Sequence, residues 1–230
     1  MAWEFANSVC GRFAFYSPAE ATAALFGAND VPAVEPRYNI APTAFIAAIR
    51  DAEDQRRELV MLRWGLVPFW AKDPSIGNRM INARAETVAE KPSYRAAFRH
   101  RRCVVLADGF YEWRRDGDTK VPYYISASDG EPFGLAGLWE NWTDSSSGDS
   151  LQTTTIVTTE ANDFMRPLHH RMPVVLRTDT ANGWLAGDDN SLQAAIDLTP
   201  ALNAWPVSRR VNNARNQGED LLVADGEIDS

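Results

Sequence analysis

The stretch Ala107-Asp108-Gly109-Phe110-Tyr111-Glu112-Trp113-Arg114-Arg115, followed by Asp116-Gly117-Asp118 and then Val121-Pro122-Tyr123-Tyr124-Ile125-Ser126-Ala127, reads as two strands joined by a tight turn. Asp-Gly between runs rich in aromatic and β-branched residues supplies the positive φ that a short hairpin needs. Alternation along Gly109–Arg115 puts Phe110, Glu112 and Arg114 on one face and Tyr111 and Trp113 on the other. A carboxylate flanked by Phe110 and a buried strand is drawn out of water, which raises its pKa toward the range useful for acid–base work. An exposed strand glutamate paired with an arginine is the alternative.

Outward from this hairpin the same signals repeat. Cys103–Ala107 is a buried apolar strand, and Pro92–Arg99 before it a short helix. Phe45–Arg50 and Leu59–Trp64 are strands around the charged turn 51–58. Phe133–Trp139 and Thr153–Thr158 flank the Ser/Gly/Asp loop 144–150. Arg171–Leu176 and a final strand, Ala204–Val211, lie on either side of two short helices, Thr180–Ala186 and Ser191–Asp197. Near the N-terminus, Ser17-Pro18-Ala19-Glu20 is a capping box with proline at the first helical position, and Gly27 closes that helix. Pro36–Thr43 is bounded by prolines and reads as a fixed loop. With no repeat and no long linker, the expected fold class is α+β: one compact domain of short, mostly antiparallel strands with interspersed short helices and an open basic groove.

At 230 residues, with 45% hydrophobic and 10% aromatic content, the chain suffices for one well-cored domain. No segment reaches the roughly 18 apolar residues of a membrane span, and no signal-peptide core is present. Two cysteines, Cys10 and Cys103, make no disulfide framework and fit a reducing cytoplasm. The net charge of −8 hides an asymmetry. Residues 1–115 carry 16 Lys and Arg against 13 Asp and Glu, whereas 116–230 carry 7 against 18. Arg95, Arg99, Arg101 and Arg102 cluster, with Arg114 and Arg115 beyond, and a local basic face is enough to bind phosphate. Trp64, Trp70, Trp113, Trp142 and Trp205 lie beside Arg, Asn or Pro, as residues lining a stacking surface would.

Three further runs carry chemistry. Cys10 lies in Val9-Cys10-Gly11-Arg12-Phe13, behind nine residues without a recognisable pattern. Exposed as residue one, it would hold a thiol and an α-amine on adjacent carbons, with pKa values of about 8.5 and about 7.7–8.0. Such a pair closes a five-membered ring on an aldehyde. Valine is also what a GTG start codon encodes, so translation beginning there, followed by loss of the initiator Met, would expose Cys10. A buried small hydrophobe is the alternative. Asn82-Ala83-Arg84-Ala85-Glu86-Thr87 follows Arg63-Trp64-Gly65-Leu66-Val67-Pro68-Phe69-Trp70. Pro167-Leu168-His169-His170-Arg171-Met172-Pro173 holds two of the three histidines, one of them a candidate proton shuttle. Adjacent histidines on a strand face opposite ways, so no zinc site is expected.

Together, Cys-Gly-Arg-Phe, Asn-Ile-Ala-Pro-Thr, Arg-Trp-Gly-Leu-Val-Pro-Phe-Trp, Asn-Ala-Arg-Ala-Glu-Thr, Ala-Asp-Gly-Phe-Tyr-Glu-Trp and His-His-Arg-Met-Pro, in order, resemble the SOS response-associated peptidase family. The late run Val207-Ser208-Arg209-Arg210-Val211-Asn212 is similar to its C-terminal signature. The resemblance implies an enzyme that binds abasic sites in single-stranded DNA and crosslinks to them through an N-terminal cysteine as a thiazolidine. It also implies autoproteolytic exposure of that cysteine. It assigns Cys10, Asn82, Glu112 and His169 to catalysis, and Arg12, Asn39, Pro42, Trp70, Arg84 and Arg171 to DNA. No cofactor and no metal are implied. The chain departs from the family in carrying more than an initiator Met before Cys10. The expected organisation is therefore a dispensable leader or mis-set start over 1–9, the domain over 10–218 and a flexible acidic tail over 219–230.

The partner implied is single-stranded DNA containing abasic sites. The protein is expected to be a cytoplasmic monomer, nucleoid-associated when bound, without membrane contact. Two readings from other classes stay open: an N-terminal cysteine amidohydrolase, with Asn82 as oxyanion donor, and a non-covalent reader of single-stranded or modified DNA.

Overall fold

The computed structural model describes residues 10–225, apart from positions 30, 55 and 189. The leader 1–9 and the last tail residues, 226–230, lie outside the described residues.

Along the chain the strands are β1 (Phe13–Phe15), β2 (Arg37–Ile40), β3 (Phe45–Asp51), β4 (Arg57–Trp64), β5 (Asn82–Arg84), β6 (Arg102–Ala107), β7 (Gly109–Asp116), β8 (Thr119–Ala127), β9 (Phe133–Thr143), β10 (Ser150–Glu160), β11 (Arg171–Pro173), β12 (Val175–Leu176) and β13 (Leu202–Pro206). The helices are α1 (Ala19–Leu25), α2 (Arg95–His100), α3 (Thr178–Ala186) and α4 (Ser191–Asp197). The β7–β8 hairpin forms as expected, running from Gly109↔Ser126 to Asp116↔Thr119 with Gly117 at φ 57° in the turn. It is the centre of a five-stranded sheet ordered β13-β8-β7-β1-β2. In the second sheet β10, β4, β3, β6 and β9 pair in succession, and β9 pairs back to β10, so these five close into a barrel. Closure removes the exposed edges that an open sheet would present. The β4–β10 contact is parallel; β5, β11 and β12 are appended outside the ring.

The core lies between the sheets. Phe13, Phe110 and Ile125 of the first meet Ile46, Leu62, Trp64 and Val104 of the second, all 3% exposed or less. Each such side chain contributes about 1.5–3 kcal/mol by leaving water. The opposite face of the hairpin is also covered: Tyr111 and Tyr124 pack with Val207 and Val211 in a smaller cluster.

Several local expectations are corrected. No capping box forms at α1, because Ser17 turns its N–H and hydroxyl to the buried carboxylate of Asp108, which also accepts the N–H of Tyr16 at 2.6 Å. Pro36–Thr43 is not all loop: Arg37–Ile40 is an edge strand, and both prolines sit just outside it, where no ladder N–H is needed. The final strand stops at Pro206. Beyond it, Ser208 accepts the N–H of Arg210 and starts a 3-10 turn over Arg209–Asn212. The tail does not fray at 219: Leu221 is fully buried, Val207 bridges Ala224, and the Trp205 indole donates to the Leu222 carbonyl at 2.7 Å. The arginine cluster divides, since Arg102 lies between the rings of Phe98 and Trp184 while Arg101 pairs with Glu140. The tryptophans likewise do not share one surface. Trp64 and Trp142 are core residues, whereas Trp70 is 49% exposed.

Candidate functional site

Tyr111 N–H donates to the Arg12 carbonyl at 2.9 Å, continuing the β1–β7 pairing toward Cys10. The backbone N–H of Cys10 donates to Oε1 of Glu112 at 2.6 Å. Cys10 is fully buried and Glu112 is 2% exposed, and Cys10 takes a left-handed φ of 47°, a conformation that costs a non-glycine residue energy. Burial pushes the Glu112 carboxyl up to about 8, against the opposing pull of the N–H groups of Cys10 and Trp113. The Cys10 thiol is also held well above its ordinary value, first by burial and then by the neighbouring carboxylate. The inward position that alternation gave Glu112 is thus occupied by a carboxyl able to exchange a proton near neutrality, touching the nitrogen of Cys10.

A second group gathers at the end of β10. Thr158 pairs with Arg84 of β5 on one side and Pro173 of β11 on the other. Asn82 is half-buried, and its carbonyl accepts from the Tyr94 hydroxyl at 3.2 Å. Arg84 is exposed. Arg171, assigned to DNA by resemblance, is instead buried and engaged: its guanidinium grips Glu86 at 2.8 and 3.0 Å and the Thr158 carbonyl at 2.6 Å. Its donors hold β10 and β11 to the loop after β5. His169 Nδ1 sits against both backbone groups of Arg171, 3.1 Å from its N–H and 3.3 Å from its carbonyl oxygen, which fixes the orientation of the ring. Burial lowers the His169 pKa, helped by the His170 ring 4.3 Å away and by the charges of Arg171 and Lys120.

One chain of contacts runs from β1 toward Asn82: Phe13 meets Trp64 edge-on at 5.3 Å, and the Trp64 indole donates to the Ile81 carbonyl beside Asn82 at 2.9 Å. The structure joins Cys10 directly to Glu112, while Asn82 and His169 belong to the group at the end of β10.

Of the remaining DNA candidates, Trp70 stands exposed beside Phe69, which is 60% exposed. Their loop is fixed by the Trp142 indole, which donates to the Ala71 carbonyl at 2.6 Å. Arg12 donates from Nη1 to Asn39 Oδ1 at 2.7 Å and to the Val211 carbonyl at 2.8 Å. Asn39 is fully buried, with its amide spent on backbone carbonyls, and Pro42 is buried too; neither offers a surface to phosphate. Sequence reasoning missed Asp108, which gathers the N–H groups of Tyr16 and Ser17 and the Ser17 hydroxyl, and Gln217, whose side chain bonds only backbone groups. Among the described residues no three His, Cys, Asp or Glu side chains gather to hold a metal ion. None of the described helices is long and apolar enough to cross a membrane.

Residues 9–214 match the family model described as SOS response associated peptidase (SRAP). The chain is 41% identical over 230 residues to the abasic site processing protein YoaM of Bacillus subtilis (strain 168), spanning 96% of this chain and all of that one. Identity to the abasic site processing protein YedK of Escherichia coli (strain K12) is 34% over 226 residues, covering 93% and 99%. To the abasic site processing protein HMCES of Xenopus tropicalis it is 33% over 228 residues, covering 85% and 68%. A crystal structure of a protein from Bacteroides thetaiotaomicron superposes with a TM-score of 0.83 at 26% identity, covering 94% of this chain and all of that one. The family match spans every run from Cys10 to Asn212, and the chain belongs to the SOS response associated peptidase (SRAP) family.

Proposed function

We propose that this protein binds abasic sites in single-stranded DNA and joins itself to them through Cys10, after residues 1–9 are removed or never made. The observation that carries this reading is the 2.6 Å bond between the Cys10 nitrogen and a Glu112 carboxyl whose pKa lies near 8. The relatives named abasic site processing proteins supply the substrate class.

Removal of the leader uses the same pair. The Cys10 thiol adds to the Val9 carbonyl, and the Val9–Cys10 bond breaks as its nitrogen takes a proton from Glu112. Water then hydrolyses the thioester, releasing 1–9 as a carboxylate and restoring the thiol. On DNA, the C1′–O4′ bond of the closed sugar breaks as the neutral His169 imidazole takes the proton of the anomeric hydroxyl and the Glu112 carboxyl gives one to the ring oxygen. The free amine of Cys10 adds to the resulting aldehyde, the new alkoxide takes the proton from His169 and the nitrogen passes one back to Glu112, which then protonates the hydroxyl that leaves as water. The thiolate then adds to the iminium carbon and closes the thiazolidine. One water is lost overall and no redox change occurs. Asn82 orients the sugar, Arg12 and Arg84 hold phosphates, and Trp70 stacks on an unpaired base.

The test is denaturing electrophoresis of the protein incubated with a single-stranded oligonucleotide containing one abasic site. A heat-stable adduct that Cys10→Ser and Cys10→Ala cannot form is expected. Retention that vanishes on denaturation would identify a non-covalent reader and overturn the proposal.

A further inference from the structure

We propose that the C-terminal segment Val211–Gln217 is a strap that presets the Arg12 guanidinium for a DNA phosphate, with Gln217 as its positioning residue. The proposal rests on the DNA reading above. Its observations are separate from the Cys10–Glu112 pair.

Arg12 lies two residues after Cys10 in a chain that runs beside β7. A free arginine side chain samples many rotamers, and ordering it on DNA costs entropy. Here that cost is met before DNA arrives. Nη1 is fixed by Asn39 Oδ1 and by the Val211 carbonyl, and the guanidinium carbon lies 6.0 Å from the Trp113 ring. The Arg12 Nε is buried without a partner among the described residues. The guanidinium is therefore held through Nη1 and packed around Nε, which leaves Nη2 as the donor turned to a phosphate.

What holds Arg12 is itself held by the strap. The Asn39 amide nitrogen donates to the carbonyls of Val211, Asn213 and Asn216 at 3.2, 3.1 and 3.0 Å, so two hydrogens are shared among three acceptors. Such a set survives only if the three carbonyls stay converged. Gln217 keeps them there. Its Oε1 accepts the N–H of Tyr38 and of Asn39 at 3.0 and 3.2 Å, and its Nε2 donates to the Asn39 carbonyl at 3.0 Å. One side chain thus pins the segment to β2 on both backbone groups of Asn39. Gln217 touches neither Cys10 nor Glu112 and lies beyond the 9–214 span of the family match.

The experiment uses full-length protein and a single-stranded abasic oligonucleotide, reading the capture rate against DNA concentration and salt. For Gln217→Ala we expect a half-saturating DNA concentration raised about three- to tenfold, the order of one ordinary net hydrogen bond, with the maximal rate unchanged. The salt slope should fall by about one, as when a phosphate contact is lost. Adding Gln217→Ala to Arg12→Gln should change neither quantity further, and Gln217→Glu, which keeps the acceptor, should restore part of the loss. A merely structural Gln217 would lower the melting temperature and leave the salt slope intact. That result, or additive effects in the double variant, overturns the proposal. Absence of any adduct with the wild-type protein would strike the DNA reading instead. In that case nitrogen-detected NMR of Arg12 still decides the strap: restricted Cζ–Nη1 rotation should be present in wild type and lost in Gln217→Ala, and equal rotation in both refutes it.

Discussion

The backbone nitrogen of Cys10 donates to a Glu112 carboxyl oxygen 2.6 Å away, in a position that water does not reach. While residues 1–9 are attached, that nitrogen belongs to an amide and has no lone pair to offer. Once they are gone it is an amine, beside the same carboxyl. In the proposed function the same contact serves first a leaving nitrogen and then an attacking one.

This carboxyl should make stability fall as pH rises. Folded Glu112 keeps its proton up to about 8, whereas unfolded it titrates near 4.5. Between those values the folded chain binds more protons, so raising the pH favours unfolding. In a Cys10→Ala background, where the nitrogen stays an amide, denaturant unfolding should show stability lost from pH 5 to pH 8.5. Glu112→Gln, which still accepts the N–H and is never charged, should flatten that slope. Its relative gain by pH 9 should be roughly 2–5 kcal/mol. A parallel pH dependence in both proteins would mean that Glu112 is ordinarily ionised.

Intact mass reports on the leader. Expressed from Met1, the wild-type chain should be recovered beginning at Cys10. Cys10→Ala should retain residues 1–9, and Glu112→Gln should lose them about ten- to a thousandfold more slowly, the range of general acid–base contributions. Wild type that keeps its leader and still captures DNA would sink the N-terminal amine mechanism.

His169 should act in its neutral form, as the base for the anomeric hydroxyl, because its pKa lies below the usual 6.5. Crosslinking to ring-closed abasic DNA should therefore decline on an acid limb below that value. His169→Ala should slow it about ten- to a thousandfold while leaving DNA binding near wild type. On sugar trapped in the open aldehyde form, the variant should recover most of the rate. Equal rates on closed DNA would remove His169 from ring opening.

Trp70 and Arg171 separate binding from folding. Trp70→Ala removes an exposed ring and should weaken single-stranded DNA binding by about 1–3 kcal/mol, as for loss of one stacked base, with the melting temperature unchanged. Arg171→Ala breaks a buried grip on Glu86 and Thr158, and should cost about 2–4 kcal/mol of folding stability. The salt slope of DNA binding, read at a temperature where the variant is folded, should stay at its wild-type value.

Much of this protein was legible in one dimension. The β7–β8 hairpin and the inward face of Glu112 follow from Asp116-Gly117-Asp118 and from alternation, because turn chemistry and side-chain period are local. The runs around Cys10, Asn82, Glu112 and His169 revealed the family for the same reason: each is contiguous. What only the tertiary structure decided is where polar side chains spend their hydrogen bonds. Ser17 has the pattern of a helix cap and goes to Asp108, 91 residues away. Asn39 and Arg171 look like phosphate ligands and are consumed by Val211 and Glu86, 172 and 85 residues distant. Trp64 and Trp142 resemble stacking residues and are buried in the core. A side chain's chemistry is written in its type, but its partner is fixed by which distant backbone the fold carries to it. A buried donor bonds whatever acceptor is there, since leaving it unmade costs more than any local preference.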